Sequence, residues 1–260
     1  MVQTLMEPVI HSHGILYIAT GEKYIHAAIR SAESVAKYCQ NLSIHLYADW
    51  QNYHFQFDRS IYPFSSIGMI EKPHRRSKVD LLAHTPFDYT LYLDSDTSVT
   101  TDIREMFLLL DRFDMAFAHE FRRRNINHTR IWREKLPEAF PQFNGGVLLY
   151  KKNQAVLEFL NEWSSSFKKA GFLQDQITLR ELLWFSPLRI ATLPPEYNVR
   201  YLKYHFLWSR SEARTKIFHL QLYHDGPFWF LKNWAKLIGR PILLWLGIKP
   251  SQLKKFFRRK

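Results

Sequence analysis

The chain opens with a short apolar run, a helical stretch and a second apolar run, and this order restricts the fold more than any other feature. Gly14–Thr20 reads GILYIAT, apolar on consecutive positions, as a strand covered on both faces must be. From Tyr24 to Tyr38, Ile25, Ala28, Ile29, Ala32, Val35 and Ala36 recur at helical spacing. Ser43–Ala48 (SIHLYA) is a second strand, ended by Asp49. Strand, helix, strand predicts a parallel pair of the α/β class, with ligands gathered at the carboxyl ends of the strands.

The rest of the chain extends this pattern. Asp49 to Pro73 is aromatic and loop-like, and a helix from about Ser77 to His84 leads into Thr90–Leu93, a third apolar strand. A helix over Ile103–Leu110 and a strand at Met115–Ala118 follow. Glu120–Pro141 is polar, Arg-rich and irregular. Beyond it come a strand at Gly146–Tyr150, helices at Asn153–Trp163 and Gln174–Trp184, and a last strand at Lys216–Leu220. With no internal repeat or low-complexity linker, one domain is expected over residues 1–226, followed by a basic amphipathic helical extension over 227–260.

The third strand raises the chemical question. Leu91-Tyr92-Leu93 runs straight into Asp94-Ser95-Asp96, two carboxylates close enough to repel unless a cation stands between them. Carboxylate oxygens are ligands for Mg²⁺ or Mn²⁺, ions that keep open positions for substrate phosphates. The alternative is one Asp capping a turn and the other solvated.

Several segments suit a phosphate or sugar site beside such an ion. In HRRSKVDLL, Arg75 and Lys78 one helical turn apart could reach one anion, or form a solvated basic helix end. Asn144-Gly145-Gly146 opens a strand where glycine allows close approach and Asn can meet hydroxyls; an ordinary turn explains it equally. Gln174-Asp175-Gln176 places a carboxylate between amides at a helix start, suited to hydroxyl recognition or to routine capping. His219 closes a short apolar segment, either as a structural histidine or as a ligand for Mn²⁺.

Composition narrows the rest. The 260 residues, 46% hydrophobic and 16% aromatic, exclude disorder. One cysteine excludes an internal disulfide framework and a cysteine-based zinc site, and a reducing compartment is expected. The opening MVQTLMEPVIHSHG lacks the pattern of a secretory signal, and no apolar run is long enough for a transmembrane helix. The net charge of +12 invites a polyanion. The charge is concentrated at Lys72–Lys78, at Arg122–Arg124 and in Lys254, Lys255, Arg258, Arg259 and Lys260, without a recognisable nucleic-acid module.

Taken in order, YIATGEKYIHAAIRSA, SKVDLL, LYLDSDT, FNGGVLLY, DQ and KIFHL resemble the GT-A glycosyltransferases, in particular glycogenin-like family 8, from about Ile15 to His219. The resemblance implies a Rossmann-like, mixed but mainly parallel sheet flanked by helices, with a C-terminal helical tail. It implies an enzyme that moves a hexose from a nucleotide diphosphate sugar, a UDP-sugar by this likeness, to an acceptor hydroxyl with retention of configuration. By match, Asp94, Asp96 and His219 would bind Mn²⁺ (or Mg²⁺), and Ala19, Thr20 and Tyr24 would lie against the base. Arg75, Lys78, Ser95, Gly145 and Gly146 would line the donor, with Asn144, Asp175 and Gln176 on the catalytic side facing sugar and acceptor.

One departure stands out. The family follows the histidine with H-x-x-G-x-x-K-P-W, where the lysine meets the diphosphate; here Leu222 and Asp225 take the glycine and lysine positions. His224 or an arginine of Arg122–Arg124 substitutes, or diphosphate binding is weaker. The tail interleaves Trp245, Phe256 and Phe257 with Lys232, Lys236, Arg240 and the terminal basic cluster. This suits an interfacial helix on an anionic membrane, or a helix packed on the domain. The expected location is cytoplasmic, including the cytoplasmic membrane face, with a glycan, lipid-linked or protein acceptor and no nucleic acid. Alternatives are a nucleotidyltransferase-like or inactive sugar-nucleotide-binding relative, or a nucleic-acid-binding protein.

Overall fold

A computed structural model describes residues 12–53, 62–122, 130–221 and 223. Its centre is a seven-stranded sheet in the order β3-β2-β1-β4-β7-β6-β8. The strands are β1 (His13–Ala19), β2 (Ser43–Ala48), β3 (Ser66–Met69), β4 (Tyr89–Leu93), β6 (Met115–His119), β7 (Phe143–Lys151) and β8 (Ile190–Leu193). β1 pairs parallel with β2 and β4, β2 with β3, and β6 with β8. Strand β7 alone is reversed, running antiparallel to β4 and β6. A separate antiparallel pair joins β5 (Thr97–Val99) to β9 (Ile217–His219). The mixed, mainly parallel α/β architecture expected from the sequence is the one observed.

Both faces of the sheet are covered, and strand alternation sends side chains into two cores. On one side Ile15, Tyr17, Leu91 and Leu93 pack with α1 (Glu22–Tyr38) and a 3₁₀ helix at Arg104–Asp111. On the other, Leu16, Tyr92, Leu148 and Tyr150 meet α3 (Gln154–Ala170) and α4 (Gln176–Phe185). α2 (Ser77–Leu81) contributes Val79 to this second core. Helix α3 starts where Asn153 accepts from the Val156 N–H at 2.9 Å and stops at Gly171, whose φ of 67° is the left-handed conformation a helix-ending glycine supplies.

Several sequence expectations change. The stretch read as loop from Asp49 to Pro73 contains the edge strand β3, whose four residues are too few for a clear alternation. β5, β8 and a short α5 (Leu202–Leu207), of three, four and six residues, have no counterpart in the sequence reading for the same reason. The helix expected over Ile103–Leu110 is the tighter 3₁₀ form, and α3 runs seven residues beyond Trp163, to Ala170. Contacts divide the chain at Leu220, into Met1–Leu220 and Gln221–Lys260. The tail expected over 227–260, Arg123 and Arg124 lie outside the described residues, as do Leu222, His224 and Asp225. Among the described residues no helix is long and apolar enough to cross a membrane.

Trp163 ties this packing to the chemistry. It is fully buried, and its indole N–H donates to the Asp175 carbonyl at 3.1 Å, at the entrance to α4. Trp163→Ala should cost about 3–5 kcal/mol of stability through the cavity and the lost bond. Urea unfolding of the variant measures this; a loss below 1 kcal/mol would contradict the packing described here.

Candidate active site

The site gathers at the carboxyl ends of β1 and β4, with β7 entering from the opposite direction. Ala19, buried, ends β1, and Thr20 follows with its hydroxyl 3.5 Å from the His74 carbonyl. Gly21 turns the chain with φ at 95°, and the buried Asp49 at the end of β2 accepts from its N–H at 2.9 Å. Tyr24 stands half-exposed one helical turn on. These residues sit together at the carboxyl end of β1 and the start of α1.

At the end of β4 the chain turns sharply, the Asp94 carbonyl accepting from both the N–H (3.2 Å) and the hydroxyl (2.8 Å) of Thr97. β5 then starts at Thr97, paired directly with His219 on β9. The pairing lays Asp94, Asp96 and His219 together, one ligand atom from each lying within 4.8 Å of the others. His219 Nε2 is 3.0 Å from Asp96 Oδ1 and 3.6 Å from Asp94 Oδ2. Its Nδ1 lies 2.8 Å from Asn198 Oδ1, which accepts the ring proton and leaves Nε2 as the ligand atom.

Asp94 is oriented from its other oxygen. Tyr92, two residues back and so on the same strand face, donates to Oδ1 at 2.6 Å, and Lys78 Nζ lies 3.1 Å from it. Burial first, and then the Asp94 charge, push the Tyr92 phenol well above its ordinary value, so it remains a donor. Burial works to raise the Asp94 carboxyl, but Lys78 and then His219 outweigh it and hold the group below its usual range, ionised. Burial likewise opposes the Lys78 charge, and Asp94 and Asp175 overcome it.

Gly146 makes room for this arrangement. Its carbonyl accepts from the Asp94 N–H at 2.8 Å, and a β-carbon there would collide with His219 and come within 2.6 Å of Asp94 Oδ2. The register of β6 against β7 shifts at Phe117/Ala118, which pair with Leu148 and Asn144, so Gly145–Val147 bulge out of that ladder. Two carboxylates and an imidazole converging on a space that only glycine leaves open fit a divalent ion.

Around this centre the polar groups are nearly all spoken for. Lys78 donates to the Gly145 carbonyl at 3.0 Å and lies 3.5 Å from Asp175 Oδ2. Asp175 is buried, its Oδ1 3.4 Å from Arg76, while Oδ2 has no hydrogen-bond donor. A buried carboxylate oxygen beside Lys78 but without a hydrogen bond of its own can take a hydroxyl from a ligand. Ser95, between the two aspartates, is also buried.

The structure relocates some expected contacts. Arg75 is exposed and precedes α2, which begins at Ser77, so it does not share a helical face with Lys78. Arg76 is the arginine that enters, bonding the Gln174 side chain at 2.8 Å and Asp175. Asn144 is committed within the protein, its amide donating to Glu120 at 2.9 Å and its Oδ1 accepting from the Gly146 N–H at 3.0 Å. Gln176 also donates to Glu120, at 3.1 Å. Glu120, Tyr92, Asn198 and Arg200 escape sequence reading, and Arg76 enters it only as one charge of the Lys72–Lys78 cluster. Only Tyr92 carried a signal, its two-residue spacing from Asp94.

Against this geometry, comparisons with known proteins return the fold. No protein-family model matches the chain, and no curated protein sequence does. Among solved structures the chain is similar to the glycosyltransferase GlyE of Streptococcus pneumoniae TIGR4, with 17% identity and a TM-score of 0.53. The apo form of GlyE aligns with 18% identity and a TM-score of 0.57. Each alignment covers 80% of this chain and 54% of that one, so the chain matches about half of its structural neighbour. The likeness establishes a GT-A-like glycosyltransferase fold.

Two outcomes follow from the site geometry. Gly146→Ala should weaken Mn²⁺ binding about fivefold or more, since overpacking a filled site costs about 1–3 kcal/mol; Mn²⁺ titration by electron paramagnetic resonance reads it, and unchanged affinity would dissolve the three-residue ion site. Burial tends to raise the Glu120 carboxyl, but hydrogen bonds from Asn144 and the Arg122 N–H hold it below its ordinary 4.5. A folded-state pKa below the unfolded one stabilises fully above pH 4.5, and that contribution fades as pH falls through the folded value. Glu120→Gln should therefore reduce the acid-side slope of stability below pH 4.5, as thermal melts across pH would show.

Proposed function

We propose that this chain transfers a hexose from a nucleotide diphosphate sugar, a UDP-sugar in the first instance, to an acceptor hydroxyl. One observation carries the proposal: Asp94, Asp96 and His219 converge beside Gly146, with Lys78 and an Asp175 oxygen that accepts no hydrogen bond adjoining, inside a glycosyltransferase-type fold. A Mn²⁺ or Mg²⁺ ion held by Asp94, Asp96 and His219 would supply Lewis-acid stabilisation of a leaving diphosphate.

The chain's own groups divide the remaining work. Ala19, Thr20 and Tyr24 form the wall for the base. Lys78 and Arg76, fixed charges in a partly closed site, hold Asp175 in place and offset developing negative charge without reorganising. Asp175 Oδ2 accepts a sugar hydroxyl and orients the transferred ring. Asn144 and Gln176 brace Glu120, which shapes the acceptor side, and Gly145 and Gly146 admit the donor closely.

Retention of configuration and the UDP preference rest on the resemblance of the motifs. A glycan, lipid-linked or protein acceptor, and association with an anionic cytoplasmic membrane face, rest on the basic aromatic sequence of residues 227–260.

The decisive experiment incubates the protein with a panel of UDP-sugars, with and without Mn²⁺, and measures UDP release. Metal-dependent release, lost by at least about a hundredfold in Asp96→Ala while the fold persists by circular dichroism, is expected. Full activity in Asp96→Ala would defeat the metal assignment. Sugar-nucleotide binding without turnover points to an inactive relative, and pyrophosphate release from a sugar phosphate plus UTP to a nucleotidyltransferase.

A further inference from the structure

Arg200 is a cation that the proposed chemistry has not yet used. Its backbone is fixed beside the ion-ligand strand, because Val199 donates to the Ile217 carbonyl at 2.9 Å and His219 donates to Val199 at 3.0 Å. One guanidinium nitrogen lies 2.7 Å from His219 Nε2 and 3.2 Å from Nδ1. A donor in the ring plane on the Nε2 lone pair would stand much farther from Nδ1. The nitrogen therefore sits over the imidazole face, a position that suits the weakly hydrated guanidinium. The ring edge stays directed at Asp96 and Asp94. The charge of the same arginine also helps hold the buried Glu120 carboxyl below its ordinary value, after the hydrogen bonds from Asn144 and the Arg122 N–H.

Charge sets what this arrangement needs. Asp94, Asp96 and Asp175 are matched by Lys78, Arg76 and Arg200. Adding a divalent ion leaves the cluster with a positive excess, even when Glu120 is included. A positive excess in a low-dielectric site is relieved by an anionic ligand, and a diphosphate on the ion brings oxygens to the side where the guanidinium lies. Two parallel N–H donors match two phosphate oxygens.

We infer that Arg200 is a donor-phosphate-binding residue, held over the face of His219 beside the ion position and turning its donors to the diphosphate once an ion and donor are bound. The inference deepens the sugar-nucleotide function proposed above and rests on it.

The test titrates wild-type protein, Arg200→Ala and Arg200→Gln with Mn²⁺ alone, then with UDP and with uridine at saturating Mn²⁺, by calorimetry and electron paramagnetic resonance. Expected are Mn²⁺ affinities that do not fall in the variants, uridine affinities that stay constant, and UDP affinities about tenfold weaker or more, the scale of a lost charge-assisted hydrogen bond. Equal loss of Mn²⁺ affinity would make Arg200 a mere support for His219 and overturn the inference. UDP binding that is unchanged in both variants would overturn it too, while leaving the donor assignment intact. Wild-type protein that binds Mn²⁺ but neither UDP nor uridine would remove the donor assignment and the role of Arg200 together. Glutamine keeps most of the side-chain bulk, so the test stands if the alanine variant fails to fold.

Discussion

The reversal of β7 is the constraint on which the site depends. In a parallel sheet all strands end on the same edge, and the starts of strands lie far from it. A single strand running the other way brings its first residues to that edge. Here β7 begins at Phe143 and pairs antiparallel to β4, so that the Gly146 carbonyl receives the Asp94 N–H. The bulge against β6 frees Gly145–Val147 from one ladder, and the missing side chain at Gly146 leaves the space into which Asp94 and His219 project. A second reversal completes the geometry: β9 lies antiparallel to β5 and carries His219 to the aspartates.

Electrostatics then selects what this space can hold. The two carboxylates would repel if left alone, and Lys78 relieves only part of that by pairing with Asp94 Oδ1. Tyr92 occupies the same oxygen, so Oδ2 faces His219. The hydrogen bond from His219 to Asn198 orients the ring and its proton. Each polar group is steered from behind, and this preorganisation suits a site that stabilises charge rather than one that rearranges to meet it.

Much of the fold was legible because long, periodic segments declare themselves. The run Gly14–Thr20 and the helical spacing from Tyr24 led directly to β1 and α1, whose buried faces need that pattern. Short elements did not declare themselves. β3, β5 and β8 have three or four residues each and owe their structure to neighbouring strands more than to their own composition. At the site, Asp94, Asp96 and Lys78 were readable as types of residue fit for metal and phosphate. Arg75 was not distinguishable from Arg76 by sequence, since both precede α2, which starts at Ser77 as expected, and only the contacts with Gln174 and Asp175 decide which one turns inward.

The sequence by itself determined an α/β chain whose apolar strands end in ligand-bearing residues, because burial on two faces and the chemistry of carboxylates are both local properties. It determined the candidate ion ligands as residue types and the positive charge that calls for an anion. Which residues meet was decided only by tertiary structure. His219 follows Asp96 by more than a hundred positions, and Arg200, Asn198 and Glu120 carry no motif at all. Their roles depend on strand pairing and on the closeness that Gly146 permits, and long-range pairing is set by the packing of the whole sheet.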